Sequence, residues 1–454
     1  MAIGPNTNHA VWGDESEVVR LALEWTAQRV VRNADPWTTA HPETELAAAA
    51  GATIVPGGIG ATEALRVFSE VLEPATRSQD DALNLAYIAA APTRAAIVFD
   101  LVTSASNIFG GMWEAGAGAI HAENEALAWI TGLLGWPETA GGTFVSGGTS
   151  GNHSALMTAR ETAKSRRGGR PAGGWKLACS ESAHSSIHSA AKALDVEVVE
   201  VPVDERGHLT GAALREVLAA NPEVFAVVAS AGTTNEGLVD DLADIADVCE
   251  EFGVWMHVDG AYGGAALTAP SVRHRFDGIE RADSFIVDPH KWLFAPYDCC
   301  ALLYREPELA RAVHAQHASY LDHIDRESWN PTDFALHLSR RARGLPLWFS
   351  LATHGTDKYR DAVELSLTTA NRVADYIRAS EHLALCREPE LSVVVFERPG
   401  WSHEQYEQWS RATADSATML CVPTKWQGRS VLRLAFVNPE TDPERVIEIL
   451  GSLA

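Results

Sequence analysis

Residues 282–305 read ADSFIVDPHKWLFAPYDCCALLYR, and the way this stretch divides decides the fold. Residues 284–287 form a short apolar run of strand type. Asp288-Pro289 breaks it, His290-Lys291 stands at the break, and residues 300–304 form a second buried strand. A lysine between two buried strands is an odd place for a solvated charge. Loss of water disfavours the ammonium and is expected to lower its pKa, and a partly neutral lysine is a nucleophile for carbonyls. The alternative is an ordinary lysine on a loop.

Working outward, strand-like segments alternate with helical ones. Residues 176–179, 197–201, 224–230, 254–258, 284–287 and 301–304 read as strands, with helices near 185–194, 211–219 and 242–251. Buried, β-branched strands separated by helices predict a mostly parallel α/β sheet. Upstream, the pattern predicts helices over 15–32, 61–72, 122–134 and 153–165. Residues 306–345 are polar and irregular. A long helix over 347–378 then leads to a smaller α+β unit with strands at 391–396 and 430–436.

Bulk properties narrow the function classes. The 454 residues allow two or three domains. A net charge of -24 argues against nucleic acid or an anionic membrane surface as partner. Six cysteines without a CxxC pair or metal-type spacing indicate free thiols in a reducing compartment, and no metal site is expected. The first residues carry neither a basic n-region nor an apolar h-region, and no apolar run approaches the ~18 residues of a membrane span. A cytoplasmic enzyme is the expectation.

Three further stretches carry chemistry. Gly147-Gly148-Thr149-Ser150-Gly151 opens a helix, where glycines admit a close ligand and N–H groups favour a phosphate. It is neither a Walker loop nor GxGxxG. Asp259 ends a buried strand, where ligands of open parallel sheets bind, either as a turn cap or as an anchor for a protonated ring nitrogen. His184, in SESAHSSIHS at 180–189, stands after a strand at a helix start and can stack on a flat ring. A lysine nucleophile, a carboxylate for a pyridinium, a phosphate cradle and a stacking imidazole together suit pyridoxal phosphate.

With these residues in view, the chain resembles the group II pyridoxal-phosphate-dependent amino-acid decarboxylases, nearest the aromatic-L-amino-acid decarboxylase branch, from about residue 85 to the end. The resemblance rests on DPHKW at 288–292, HVDGAYGG at 257–264, SESAHSSI at 180–187, GTTNEG at 232–237 and GGTSG at 147–151. SRRAR at 339–343 and LRLAF at 432–436 also match family segments.

The resemblance implies a fold-type I, aspartate aminotransferase-like enzyme. An N-terminal helical arm would span 1–85, a large cofactor-binding domain 86–346, and a small C-terminal α+β domain 347–454. It implies that Lys291 carries pyridoxal 5'-phosphate, with His290 and Asp288 beside it. Asp288 stands where animal members often have asparagine, and a carboxylate there repels a phosphate dianion. Asp259 would face the pyridine nitrogen, with Ala261 under the ring, His184 stacked on it, Thr234 at its edge, and Thr149 and Ser150 on the phosphate. Tyr320, in a segment similar to the family's catalytic loop, would return a proton to Cα after CO2 leaves.

Retention of both Tyr320 and His184 favours plain decarboxylation over aldehyde formation. Tyr87, Phe109, Met112 and Trp113 suit an aromatic or apolar substrate side chain. His121, where GAIHAENEA departs from the family run, can meet a polar one, so acidic, aliphatic and basic amino acids stay open. A homodimer with the active site at its interface is expected, the arm serving as an exchanged element. An aminotransferase using Arg433 to clamp the α-carboxylate, a desulfurase, another carbon–carbon lyase, or a non-catalytic scaffold are the rival readings.

Overall fold

The computed structural model describes residues 16–32, 41–89, 91–316 and 328–453. Its centre is a seven-stranded sheet built from β1 (Gly141–Val145), β2 (Lys176–Ser180), β3 (Glu197–Val201), β4 (Val224–Ser230), β5 (Trp255–Asp259), β6 (Ser284–Val287) and β7 (Cys300–Tyr304), in the spatial order β1-β7-β6-β5-β4-β2-β3. The run β6-β5-β4-β2-β3 is parallel, whereas β7 is antiparallel to both β6 and β1.

Both faces of this sheet are covered, which is why its strands read as near-continuous apolar runs. Met256, Val258, Phe285 and Val287 point to one core cluster, and Trp255, Ile286, Cys300 and Leu302 to the other. This is the period-two alternation of a pleated strand.

The helices Ser185–Leu194, Gly211–Ala220 and Leu242–Phe252 fall within a residue of the expected bounds. Three differences have local causes. The helix expected over 153–165 is Gly148–Arg167, so the glycine turn is its own first turn. The helix expected over 122–134 begins at Trp113 and absorbs the glycine-rich run, with Gly116 non-helical inside it. The helix expected over 347–378 is divided by Gly355, at φ +80°, into Leu345–His354 and Thr356–Ala379.

A second, four-stranded sheet has the order β10-β11-β9-β8, from β8 (Ala384–Leu385), β9 (Val393–Glu397), β10 (Val422–Trp426) and β11 (Arg429–Ala435). The segment near residue 85 lies on it: Leu85 N–H donates to Leu420 O, Ala435 N–H donates to Leu85 O, and Leu85 is buried in that sheet's core. The first helix, Ser16–Val31, buries none of its residues, although Val18, Val19, Leu23 and Val31 are apolar.

Candidate active site

The C-terminal ends of β2, β5 and β6 converge on one cavity of about 300 Å³. Its walls include Gly147, Gly148, Thr149, His184, Asp259, Ala261, Asp288, His290 and Lys291, brought together from segments more than 100 residues apart. The register explains the convergence. Asp259 is paired with Ile286, two residues before Asp288, and Asp288 N–H donates to Ala261 O. Trp292, fully buried beside Lys291, stacks on Tyr262 at 5.3 Å, and the Tyr262 hydroxyl bonds Ser392, the residue before β9.

Lys291 Nζ lies 3.0 Å from Asp288 Oδ2. Burial works against its ammonium, but the facing Asp288 carboxylate, aided by Asp259, outweighs it and the Lys291 pKa is raised. This corrects the expectation of a lysine made neutral by burial. The partner three residues earlier was visible in sequence, but its orientation was not. His290 turns its Nδ1 to the Cys299 backbone and keeps Nε2 3.7 Å from Asp288; burial, despite that carboxylate, lowers its pKa.

Asp259 is held from two sides. Its Oδ1 accepts from Ala261 N–H at 3.1 Å, and its Oδ2 accepts from Asn152 Nδ2 at 2.8 Å. Asn152 also donates to Ser186 Oγ at 2.9 Å and lies 2.8 Å from His257 Nε2. His184 caps the helix Ser185–Leu194, its Nδ1 accepting from Ser186 N–H. Sequence reading passed over Asn152, Ser186 and His257. A signal existed: Trp255, His257 and Asp259 occupy alternate positions of β5, hence one face.

No side chain caps the first turn of Gly148–Arg167. An added Cβ on Gly148 would sit 3.2 Å from Asp288 Oδ2 and 3.4 Å from Ala261 Cβ, so glycine keeps the space beside the lysine open. Thr149 lines the cavity, whereas Ser150 does not and instead bonds Ser146 Oγ, which does. Among the described residues Asp288 Oδ1 has no hydrogen-bond partner although it is buried, a cost tolerated where a ligand completes the site. An uncapped helix start for a phosphate, a lysine for an aldehyde, and a buried carboxylate for a ring nitrogen fit pyridoxal phosphate.

Other expected residues fall elsewhere. Thr234 is exposed and off the cavity wall, while its neighbour Thr233 is buried and accepts from Leu238 N–H. None of Tyr87, Phe109, Trp113 and His121 lines the cavity. Tyr87 gives its carbonyl to Arg433, Trp113 N–H donates to Asn330, and His121 is exposed on its helix. Arg433, the aminotransferase candidate, is buried against Tyr87 and also off the wall. Tyr320 lies outside the described residues. Tyr297 and Asp298, not anticipated, do line the cavity. Near the expected pocket segment, Glu123 forms a buried bidentate pair with Arg340 at 2.7 and 2.8 Å.

Among the described residues no His/Cys/Asp/Glu cluster could hold a metal, all six cysteines are free, and no helix is long and apolar enough to cross a membrane.

Comparison with known proteins agrees with this geometry. The family model for the pyridoxal-dependent decarboxylase conserved domain matches residues 66–398. An aromatic-L-amino-acid decarboxylase of Bacillus atrophaeus is 29% identical over 81% of this chain and 79% of its own length. An L-2,4-diaminobutyrate decarboxylase of Rhizobium meliloti (strain 1021) is 31% identical over 79% of this chain and 74% of its own. In fold, the Oryza sativa TDC solved with PLP and tryptamine superposes with a TM-score of 0.87 at 23% identity, over 96% of this chain and 95% of that one.

Proposed function

The chain belongs to the pyridoxal-dependent decarboxylases, and from that premise we propose that it removes CO2 from an aromatic L-amino acid to leave the amine. It is a pyridoxal-phosphate-dependent carboxy-lyase acting on an amino acid; the side chain of that substrate is the proposed part. The observation that carries the reading is the convergence of Lys291, Asp259, His184 and an uncapped helix turn on one cavity. Aromatic-L-amino-acid decarboxylases recur among the relatives.

Bound in this cavity, pyridoxal phosphate supplies an electron sink for the pair left at Cα as CO2 departs. Lys291 would hold the cofactor through its Nζ, the amine that faces the cavity. Asp288 holds the lysine's positive charge while Nζ is free. Asp259 would hold a proton on the ring nitrogen; for two unit charges at ~4 Å and an effective dielectric of ~20 the attraction is about 4 kcal/mol before desolvation. His184 would meet the ring face, and the first turn of Gly148–Arg167, with Thr149, would hold the phosphate. Tyr320 protonates Cα.

A homodimer completes the site. Its support is the apolar surface that one chain leaves open: Val18, Val19 and Leu23 on the first helix, Val98, Leu101 and Val102 on Arg94–Ser106, and Tyr87 at 61% exposure. Through the partner, the pocket residues missing from the wall of a single chain would be supplied. Six free thiols, five of them buried, suit the cytoplasm.

A second substrate reading, a short cationic side chain, is favoured by the diaminobutyrate decarboxylases at 31% identity. One screen separates the two: cofactor-loaded protein is given the twenty amino acids, dopa and L-2,4-diaminobutyrate, and CO2, amine, aldehyde and peroxide are followed. CO2 with stoichiometric amine from an aromatic substrate is expected. Turnover of diaminobutyrate alone would overturn the aromatic reading, and CO2 with aldehyde would overturn the assignment of Tyr320.

A further inference from the structure

A hydrogen-bonded chain runs from the indole of Trp255 to the imidazole of His184, and its atoms permit one direction of donation. Trp255 Nε1–H can only donate, and it gives to Ser284 Oγ at 2.8 Å. Ser284 Oγ also lies 2.8 Å from His257 Nδ1, and with two lone pairs it could give or receive the proton there. From the far side, Asn152 Oδ1 can only accept, so His257 Nε2, 2.8 Å away, carries the ring proton. In the neutral ring Nδ1 is then the acceptor, so Ser284 gives it the hydroxyl proton and one tautomer of His257 satisfies the whole chain.

Asn152 cannot be turned the other way, because its oxygen would then face the Asp259 carboxylate. Its two amide protons go to Asp259 Oδ2 at 2.8 Å and Ser186 Oγ at 2.9 Å. Ser186 passes its hydroxyl proton to His184 Nδ1 at 2.8 Å, and that nitrogen also accepts Ser186 N–H at 3.2 Å. With Nδ1 occupied twice as an acceptor, the proton of neutral His184 sits on Nε2. Trp255, Ser284, His257, Asn152 and Ser186 are all buried. Burial, against the pull of Asp259, pushes the His257 pKa down to about 4, which keeps the relay neutral.

We propose that Asn152 and His257 are one positioning unit: one amide proton of Asn152 fixes the Asp259 carboxylate, and the other, through Ser186, fixes His184 with its proton on Nε2, available to the cavity. The unit rests on the reading of this cavity as the cofactor site. It ties the group assigned to the ring nitrogen and the group assigned to the ring face to a single amide, so neither can shift without the other.

Neutron diffraction from crystals of the cofactor-loaded enzyme reads the ring protons directly. Deuterium is expected on Nε2 of both His257 and His184; deuterium on Nδ1 of His257 would overturn the proposal. Substitutions supply the second arm. His257→Gln keeps an N–H that can reach Asn152 Oδ1, His257→Phe keeps only bulk, and Asn152→Asp keeps the shape but cannot donate to Asp259. The Gln variant is expected within about fivefold of the parent kcat, the Phe and Asp variants roughly 10²-fold down, with KM moving less than about threefold and cofactor still bound. Equal losses in the Gln and Phe variants, or an unaffected Asn152→Asp, would count against the unit. The tautomers are read whatever reaction the enzyme performs, so an enzyme releasing no CO2 but showing these protons would break the functional reading alone.

Discussion

Glu123–Arg340 and Asp288–Lys291 are both buried acid–base pairs, and they are finished to different degrees. Glu123 Oε1 accepts from Arg340 at 2.7 Å and from Gly344 N–H at 2.8 Å, while Oε2 accepts from Arg340 at 2.8 Å. Arg340 adds Gly110 O at 2.6 Å, and among the described residues its Nε has no partner. The other pair has a single short contact, an orphaned Oδ1 on Asp288, and a lysine side chain that keeps 24% of its exposure, into the cavity. A pair whose two carboxylate oxygens are both engaged fixes backbone and has no acceptor left to offer. An unsaturated one, held at the end of parallel strands, is charge kept ready for a ligand.

Four experiments can break or sharpen that contrast. Lys291→Ala should reduce turnover by about 10⁴-fold or more and abolish borohydride-stable attachment of the cofactor, with only a small fall in the denaturation midpoint; a large loss of stability would place this pair with the structural one. Arg340→Met should do the reverse, costing roughly 3–5 kcal/mol in denaturant unfolding because it strands a buried carboxylate, while kcat per folded molecule stays within about twofold.

Asp288→Asn should be intermediate. With that carboxylate gone, burial of Lys291 is opposed mainly by the weaker pull of Asp259, so the alkaline limb of cofactor uptake by the apoenzyme should move to lower pH by about one unit or more. An unmoved limb would mean that Asp288 does not govern the lysine.

The smallest effect is on stability against pH. A lysine whose folded pKa is raised contributes stability that is fully present below its unfolded value of 10.5 and is lost only as pH rises through the higher folded value. The apoenzyme should therefore show a loss above pH 10.5 that Asp288→Asn lacks.

The parts of this site that were legible in the sequence are those at the ends of unbroken apolar runs. Asp259 and Lys291 stand where β5 and β6 stop, and strand ends in a parallel sheet face ligands. The fold class was legible for the same reason, since strands buried on both faces announce themselves by composition. β1 was not. It begins with two glycines, and a Cβ on Gly142 would fall 1.9 Å from Leu302 O, so the residues that suggest a loop are there to let β7 pass.

The positioning unit was hidden differently. Asn152 and His257 bond each other across 105 residues, and nothing local distinguishes a buried histidine within a relay from one filling space. Thr233 and Thr234 differ by one step along the chain, and only the turn's geometry shows which of them is buried.

The register that sets Asp259 against Ile286 carries a consequence for the lifetime of the protein in a cell. Asp259 and Lys291 meet only after strands separated by a long crossover have paired, so the cofactor finds no binding site in the unfolded chain. A ligand that binds the native state alone stabilises it by mass action, about 2.7 kcal/mol at a hundred times its dissociation constant. Vitamin supply would then set how much enzyme escapes proteolysis, as well as how much of it is active. Limited proteolysis across a cofactor titration should show protection rising with occupancy in the parent and much less in Lys291→Ala.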